Sequence, residues 1–484
     1  MSSEQLAPAV DNFLGKTATV KKLDIQPNRD ISSDLLFLSE QVAHISGTWN
    51  PVEIYTADGA KREEEKKKFL DAFDRGEEYN PTFEYSYANS LDLANSREYL
   101  LQRLSGVRTF KPQNRGERLY RAALYFKIKD DVATCDLVDG IKTKDDKKIA
   151  AAVRQKYLGT DKSLMDLAEA IYKEKTNSGE TDEAEGNGLL TEDEKKYLRE
   201  REFKAQDIKD AFEFVLDRYG ILRSESNNRG FKVKIDDNAS GIDVRDKSAE
   251  QQTVFIPTDR KMNGITLLGA IAHEIEGHAI QAMNGIDLYV GLGGGPLKID
   301  DEQLYEGYGI KREADMKKKL LGANDPGPRP YYPFAVKMAE DGASFYDIFK
   351  DQLERHLRVS LKKPKDEDLP SYQNIDQKNL NTARSNAWLV AYRVMRGHID
   401  TSNAEKYAMA KDLGYVRGFQ MDTQLAENGY GYVNESGIIA PKALQLIAEL
   451  NISEEMLPLP FVDATTAYWE EILKPQMTQE DTIP

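Results

Sequence analysis

Hydrophobic residues recur at helical intervals over much of residues 90 to 225, as in Ser163-Leu-Met-Asp-Leu-Ala-Glu-Ala-Ile-Tyr172 and Ile208-Lys-Asp-Ala-Phe-Glu-Phe-Val-Leu-Asp-Arg-Tyr219. This spacing predicts packed amphipathic helices. After Gly230 the pattern alternates. Phe231-Lys-Val-Lys-Ile235, Ile242-Asp-Val244 and Thr253-Val-Phe-Ile256 read as short strands, with Asp236 to Gly241 as a turn. An apolar stretch from Leu267 then predicts a helix ending near Asn284-Gly285, where Asn and Gly suit a left-handed terminus. Residues 311 to 360 return to helical spacing, Lys362 to Pro370 is a polar linker, and further helices follow. The whole predicts an α+β fold, predominantly helical, whose small sheet leads directly into one apolar helix.

The polar stretches add little chemistry. Lys61 to Lys68 and Lys142 to Lys148 mix both charge signs at close spacing, as solvated helix faces do. Glu174 to Gly188 is acidic and glycine-rich and reads as a mobile surface insertion. Leu288 to Pro296 superficially resembles a phosphate loop but lacks the following Gly-Lys-Ser/Thr, so a turn is expected there. Residues 1–75 read as an N-terminal arm with accessory helices, 76–470 as the main domain with helical additions, and 471–484 as a flexible tail.

With 484 residues the chain can bury a large core without disulfides. The formal charge of -16, from 66 basic and 82 acidic side chains, works against a nucleic-acid partner. One cysteine, Cys135, leaves no disulfide framework and no cysteine-rich zinc site, which favours a reducing compartment. No export-like start and no apolar run of membrane-spanning length is visible, so a cytoplasmic setting away from membranes is expected. Any metal must then be held by histidines and carboxylates.

Two of the chain's five histidines fall in the apolar helix, in His273-Glu274-Ile-Glu276-Gly277-His278. Two imidazoles with a carboxylate directly after the first are the makings of a metal-dependent hydrolase, with Glu274 as general base. The spacing raises a geometric problem. Residues five apart on a regular α-helix point about 140° away from each other, too far to share one tetrahedral ion. The motif therefore predicts a distorted helix, a π-bulge or a loosened turn, with Gly277 making the deformation sterically cheap. Glu274 with His278, four apart, and His273 with Glu276, three apart, are alternative pairings. A third ligand must come from elsewhere: Glu306 lies 28 residues after His278, far enough for a second helix to return it, while Asp300, Asp301, Glu302, His356 and His398 are competitors.

These motifs resemble the microtubule-associated tyrosine carboxypeptidase family and its bacterial relatives, which show a His-Glu-x-x-x-His helix, a Glu-Gly-Leu-Ala element and a later Arg-x-x-Arg-Gly and Thr-Lys-Asp-x-x-Tyr-x-x-Gly run. Here the first is complete, the second reads Glu306-Gly307-Tyr308-Gly309, and the third reads Arg393-Val-Met-Arg396-Gly397 and Ala410-Lys411-Asp412-Leu-Gly-Tyr415-Val-Arg417-Gly418. A weaker similarity reaches back to Tyr79-Asn80-Pro81-Thr-Phe83-Glu-Tyr85. The resemblance implies a zincin-like core and one zinc ion on His273, His278 and Glu306. It implies a carboxypeptidase acting on a peptide or protein C-terminus, with Glu274 as proton acceptor. Arg393 or Arg396 would receive the terminal carboxylate, and Tyr415 would donate to the oxyanion. The characterised animal members remove the terminal tyrosine of α-tubulin; Tyr308-Gly309 and Ala410 depart from the family pattern, and a non-tubulin peptide is expected here. An endopeptidase and a non-catalytic peptide-binding protein are the alternatives.

Overall fold

The computed structural model describes residues 31–480 apart from 47, 50, 179–187, 226, 228–229, 238, 240, 246–251, 289–302, 324–326, 403–406, 432, 434–458 and 460. Two buried hydrophobic clusters organise these residues, and each is assembled from parts distant in sequence.

The first cluster is helical and begins with α1 (Ser33–Ser46), α2 (Gly59–Asp74), α3 (Ala94–Thr109), α4 (Arg115–Thr143), α5 (Asp146–Lys156) and α6 (Lys162–Ser178). Polar residues punctuate them. The Asn114 side chain accepts from the Glu117 amide at 2.8 Å to start α4, and Lys144, at φ 54, closes it in the left-handed region. The Lys61 to Lys68 run lies on α2 as expected of a solvated face, except that Glu65 is buried and accepts from Tyr79 Oη and the Thr82 amide. The expected insertion begins later than its composition suggests: Glu174 to Ser178 complete α6, and 179–187 lie outside the described residues.

The second cluster starts with α7 (Glu192–Glu200), β1 (Glu202–Lys204) and α8 (Ala205–Arg218), then β2 (Lys232–Asp236), β3 (Asp243–Arg245), β4 (Thr253–Pro257) and β5 (Lys261–Asn263). The three strands expected from alternation form one sheet of order β2-β4-β3, parallel at β2·β4 and antiparallel at β3·β4. Val233, Val254 and Ile256 face the core. A separate antiparallel pair joins β1 to β5. Directly after β5 come α9 (Gly264–Ala270), a π-helix (Ile271–Ala279) and α10 (Ile280–Leu288), a continuous rod whose Leu267, Leu268, Ile271 and Ile275 are buried. The rod does not stop at Asn284-Gly285. Asn284 is fully buried and clamps Leu459, donating to its carbonyl at 3.0 Å and accepting from its amide at 2.8 Å, so the polar side chain joins two distant segments instead of ending a helix. The glycine-rich turn expected after Leu288 lies outside the described residues. Next is α11 (Gln303–Met316), running on into a π-turn at Lys317–Leu321.

The chain then returns to the first cluster through α12 (Tyr331–Glu340), α13 (Phe345–Ser360), α14 (Gln377–Val394) and α15 (Leu413–Glu427). Phe69, Phe345, Phe349 and Trp388 form its aromatic centre, with Phe69 and Phe349 edge to face at 4.7 Å. Finally α16 (Ala464–Tyr468), a π-turn (Trp469–Leu473) and α17 (Lys474–Glu480) rejoin the second cluster. The flexible tail expected from 471 is therefore helical as far as Glu480. Trp469 and Leu473 are buried, and Lys474 pairs with Glu194 at 2.9 Å. No helix among the described residues is long and apolar enough to cross a membrane.

Candidate metal centre

The π-helix resolves the spacing problem. Its i→i+5 bonding widens the turn, so residues five apart come to lie on one side of the rod. The imidazoles of His273 and His278 sit 4.7 Å apart, centroid to centroid, with their planes crossed at 89°. Gly277 serves this by its size: a Cβ there would lie 3.1 Å from Gly309 Cα, so its missing side chain lets α11 approach the rod.

That approach delivers Glu306 from the first turn of α11. His273 Nε2 lies 3.7 Å and His278 Nε2 3.9 Å from Glu306 Oε2. The three donors all lie within 4.8 Å of one another, the metal-capable group found among the described residues. Tetrahedral zinc with nitrogen and oxygen ligands spaces its donors at roughly 3.3–3.5 Å, so contraction by about 1.5 Å or less closes the set. Two histidines and one glutamate are also a donor set of hydrolytic zinc, and the residues present fit the ion. Tyr305, next to Glu306, stacks on His278 at 3.6 Å and 16°, which fixes the plane of that ring.

The competing ligands fall away. Glu276 faces the other side, where the Thr465 amide donates to it at 2.9 Å and Arg312 lies at 3.5 Å; burial raises its carboxyl against the pull of Arg312. His356 and His398 belong to the helical core, His356 against Tyr331 at 3.7 Å and a tilt of 32°, His398 stacked on Tyr407 at 3.9 Å. Asp300, Asp301 and Glu302 lie outside the described residues.

Electrostatics separate the two glutamates. Burial pushes the Glu274 carboxyl up to about 7, His273 pulls it back, and Glu306, Asp243 and Glu313 push the same way as burial. Burial also acts to raise Glu306, but the imidazoles of His273 and His278 outweigh it and hold this carboxylate well below the usual range. A carboxyl poised near neutrality thus stands beside one that stays charged. Asp243 places β3 beside Glu274, and β3 is the last strand of its sheet.

The C-terminal motif comes from the helical core. Asp412 is buried between two cations: Arg393 Nη1 at 3.1 Å from Oδ1 and Arg396 Nη1 at 3.9 Å from Oδ2. Arg393 also donates to Tyr332 Oη at 3.1 Å, and its side chain is 30% exposed against 11% for Arg396. The Tyr415 hydroxyl is pushed far up first by the charge of Glu306 and then by burial. Lys411 acts on the same Glu306 charge. Gly397 is at φ 85, where glycine is favoured, and its amide donates to Tyr85 Oη at 2.9 Å while Tyr85 donates to the His398 carbonyl at 2.8 Å. The Tyr79 to Tyr85 segment is thereby joined to the Arg393 to Gly397 element.

His273, His278, Glu306 and Glu274 come together as expected, and Tyr415, from the first, helical core, acts on the Glu306 charge. Arg393 and Arg396 come together on Asp412, with Tyr332 bridging toward Tyr415, their rings 6.5 Å apart. Sequence reasoning passed over Tyr305, Tyr332 and Glu313. Glu313 alone had a visible signal, since it follows Glu306 by two helical turns on one face. Compared with known proteins, the chain matches no family model and no curated protein.

Proposed function

We propose that this chain is a zinc-dependent metallopeptidase with a zincin-like core, acting as a carboxypeptidase on the free C-terminus of a peptide or protein. The observation that carries the reading is the π-helix over Ile271–Ala279, which turns His273 and His278 toward one point shared with Glu306. A zinc ion bound there supplies Lewis-acid polarisation of the scissile carbonyl and makes water acidic enough to lose a proton near neutrality.

Glu274 takes the proton from the attacking water and hands it to the leaving amine, and its raised pKa suits both steps. Tyr415, kept protonated beside Glu306, donates its hydroxyl hydrogen to the developing oxyanion. Arg393, the more exposed of the two cations on Asp412, receives the terminal carboxylate, and Arg396 holds Asp412 from the buried side. The outer edge of β3 offers main-chain groups to an extended substrate running past Glu274. The resemblance to the tyrosine carboxypeptidases agrees with this assignment and adds a terminal aromatic residue as the substrate to try first.

The test is digestion of a peptide mixture, half with free and half with amidated C-termini, by zinc-loaded protein with mass-spectrometric readout. Loss of single residues from free termini alone is expected. Glu274→Gln should keep zinc and lose roughly 10²–10⁴ in rate, and Glu306→Ala should lose the metal. Internal fragments from both peptide classes would replace the exopeptidase with an endopeptidase. Zinc binding without any cleavage would leave a peptide-binding role.

A further inference from the structure

The reading of His273, His278 and Glu306 as a zinc site leaves open what aims His273. We infer that Glu313 is its positioning residue, holding the imidazole so that Nε2 faces the metal group. The two ring nitrogens of His273 face two different carboxylates: Nε2 lies 3.7 Å from Glu306 Oε2, and Nδ1 lies 3.9 Å from Glu313 Oε2. A histidine that ligates through Nε2 must carry its proton on Nδ1, and a donor in a largely buried ring needs an acceptor. Glu313 is the carboxylate on that side of the ring, and an approach of about 0.5–1 Å from 3.9 Å brings its Oε2 within hydrogen-bond reach of Nδ1.

Its own orientation is set by two contacts. Lys317, one turn further along, takes Oε1 at 3.0 Å, which leaves Oε2 to the imidazole. The Glu313 stem runs past Gly269, where a Cβ would lie 3.5 Å from both Glu313 Cγ and Oε1. Gly269 is one turn before His273, so the Glu313 stem occupies the strip of the rod leading to the ring. One helix, α11, thus carries both the ligand Glu306 and, two turns later on the same face, the residue that sets the tautomer of a second ligand. A carboxylate behind a ligating histidine also strengthens its nitrogen as a donor.

The inference rests on the metal-site reading, and the experiment separates the two. Zinc affinity of the full chain is measured by chelator competition, and the visible spectrum of the cobalt-substituted protein reports ligand geometry. The proteins are wild type, Glu313→Ala, Glu313→Gln and Asp315→Ala. Asp315 lies on the same helix, paired with Lys311 away from the imidazoles, and controls for helix perturbation. Glu313→Ala should bind zinc roughly 10–100-fold more weakly, with shifted cobalt bands. Glu313→Gln, whose amide oxygen still accepts from Nδ1–H, should recover part of that loss, and Asp315→Ala should match wild type. Glu313→Ala binding zinc as tightly as wild type, an equal loss in Asp315→Ala, or no recovery in Glu313→Gln would each overturn the assignment while leaving the zinc site standing. A wild-type chain that binds no zinc would instead remove the metal site, and this inference with it.

Discussion

A Cβ placed on Gly307 would lie 2.0 Å from the carbonyl carbon of Gly418, so the helices carrying Glu306 and Tyr415 meet backbone to backbone. This crossing joins the two hydrophobic cores, with Tyr305 buried in one and Val416 in the other. It sets the spacing between Glu306 and Tyr415, the neighbours of these two glycines on their helices.

Gly307→Ala is expected to force the two helices apart. The clash is with main chain that no rotamer change can relieve, so the cost should reach about 3 kcal/mol, the upper end for overpacking. A thermal or urea unfolding curve measures it, and zinc affinity should fall in parallel. Unchanged stability would mean that the crossing is looser than its geometry.

At Gly309 the outcome should differ in kind. A Cβ there meets His273 Cε1 and Nε2 at 2.9 Å, and the obstacle is a side chain that can turn aside. Gly309→Ala should therefore cost stability only about 1–2 kcal/mol yet weaken zinc binding at least tenfold, because the ring it displaces carries one of the three donors of the candidate site. Equal zinc affinity in the variant and wild type would contradict the assignment of His273 Nε2.

Asp412→Ala leaves Arg393 and Arg396 facing each other without their shared carboxylate. Breaking a buried pair costs about 3–5 kcal/mol, and the partial exposure of Arg393 should bring this to about 3 kcal/mol. Urea unfolding at low and high salt checks it. A variant of wild-type stability that has lost peptidase activity would assign the pair to substrate binding alone.

The buried histidines of the helical core predict an acid-sensitive fold. Burial lowers His398 to about 3, against a weaker opposing pull from the Tyr407 backbone, and lowers His356 to about 3 with help from Arg329. Both folded values lie below the unfolded value near 6.5, so between these limits the unfolded chain binds protons that the folded chain refuses. The contribution to stability is constant above about pH 6.5 and declines as pH falls toward 3, by about 1.4 kcal/mol per pH unit for each histidine. The loss in unfolding free energy from pH 7 to pH 5 should be about 2 kcal/mol smaller in His398→Gln than in wild type. An equal loss in the two proteins would show that His398 takes up its proton without unfolding.

The sequence by itself determined whatever depends on neighbours along the chain. Alternation marked β2, β3 and β4, helical spacing marked α6 and α8, and the five-residue step from His273 to His278 demanded a helix wound more loosely than α. These follow from backbone geometry and side-chain periodicity, which act over a few residues. The Glu306-Gly307 motif pointed to the third carboxylate, but helical spacing left Glu276 open, and tertiary structure turns Glu276 away to Arg312 and Thr465. It likewise decided that Arg393 and Arg396 share Asp412, that Asn284 clamps Leu459, and that Glu313 stands behind His273. The placement of Glu306 and Glu313 depends on how closely α11 approaches the rod and α15, a distance set by glycines at 277, 307 and 309. A glycine looks alike in the sequence whether it frees a backbone or admits a neighbour, and only the neighbour's position tells the two apart.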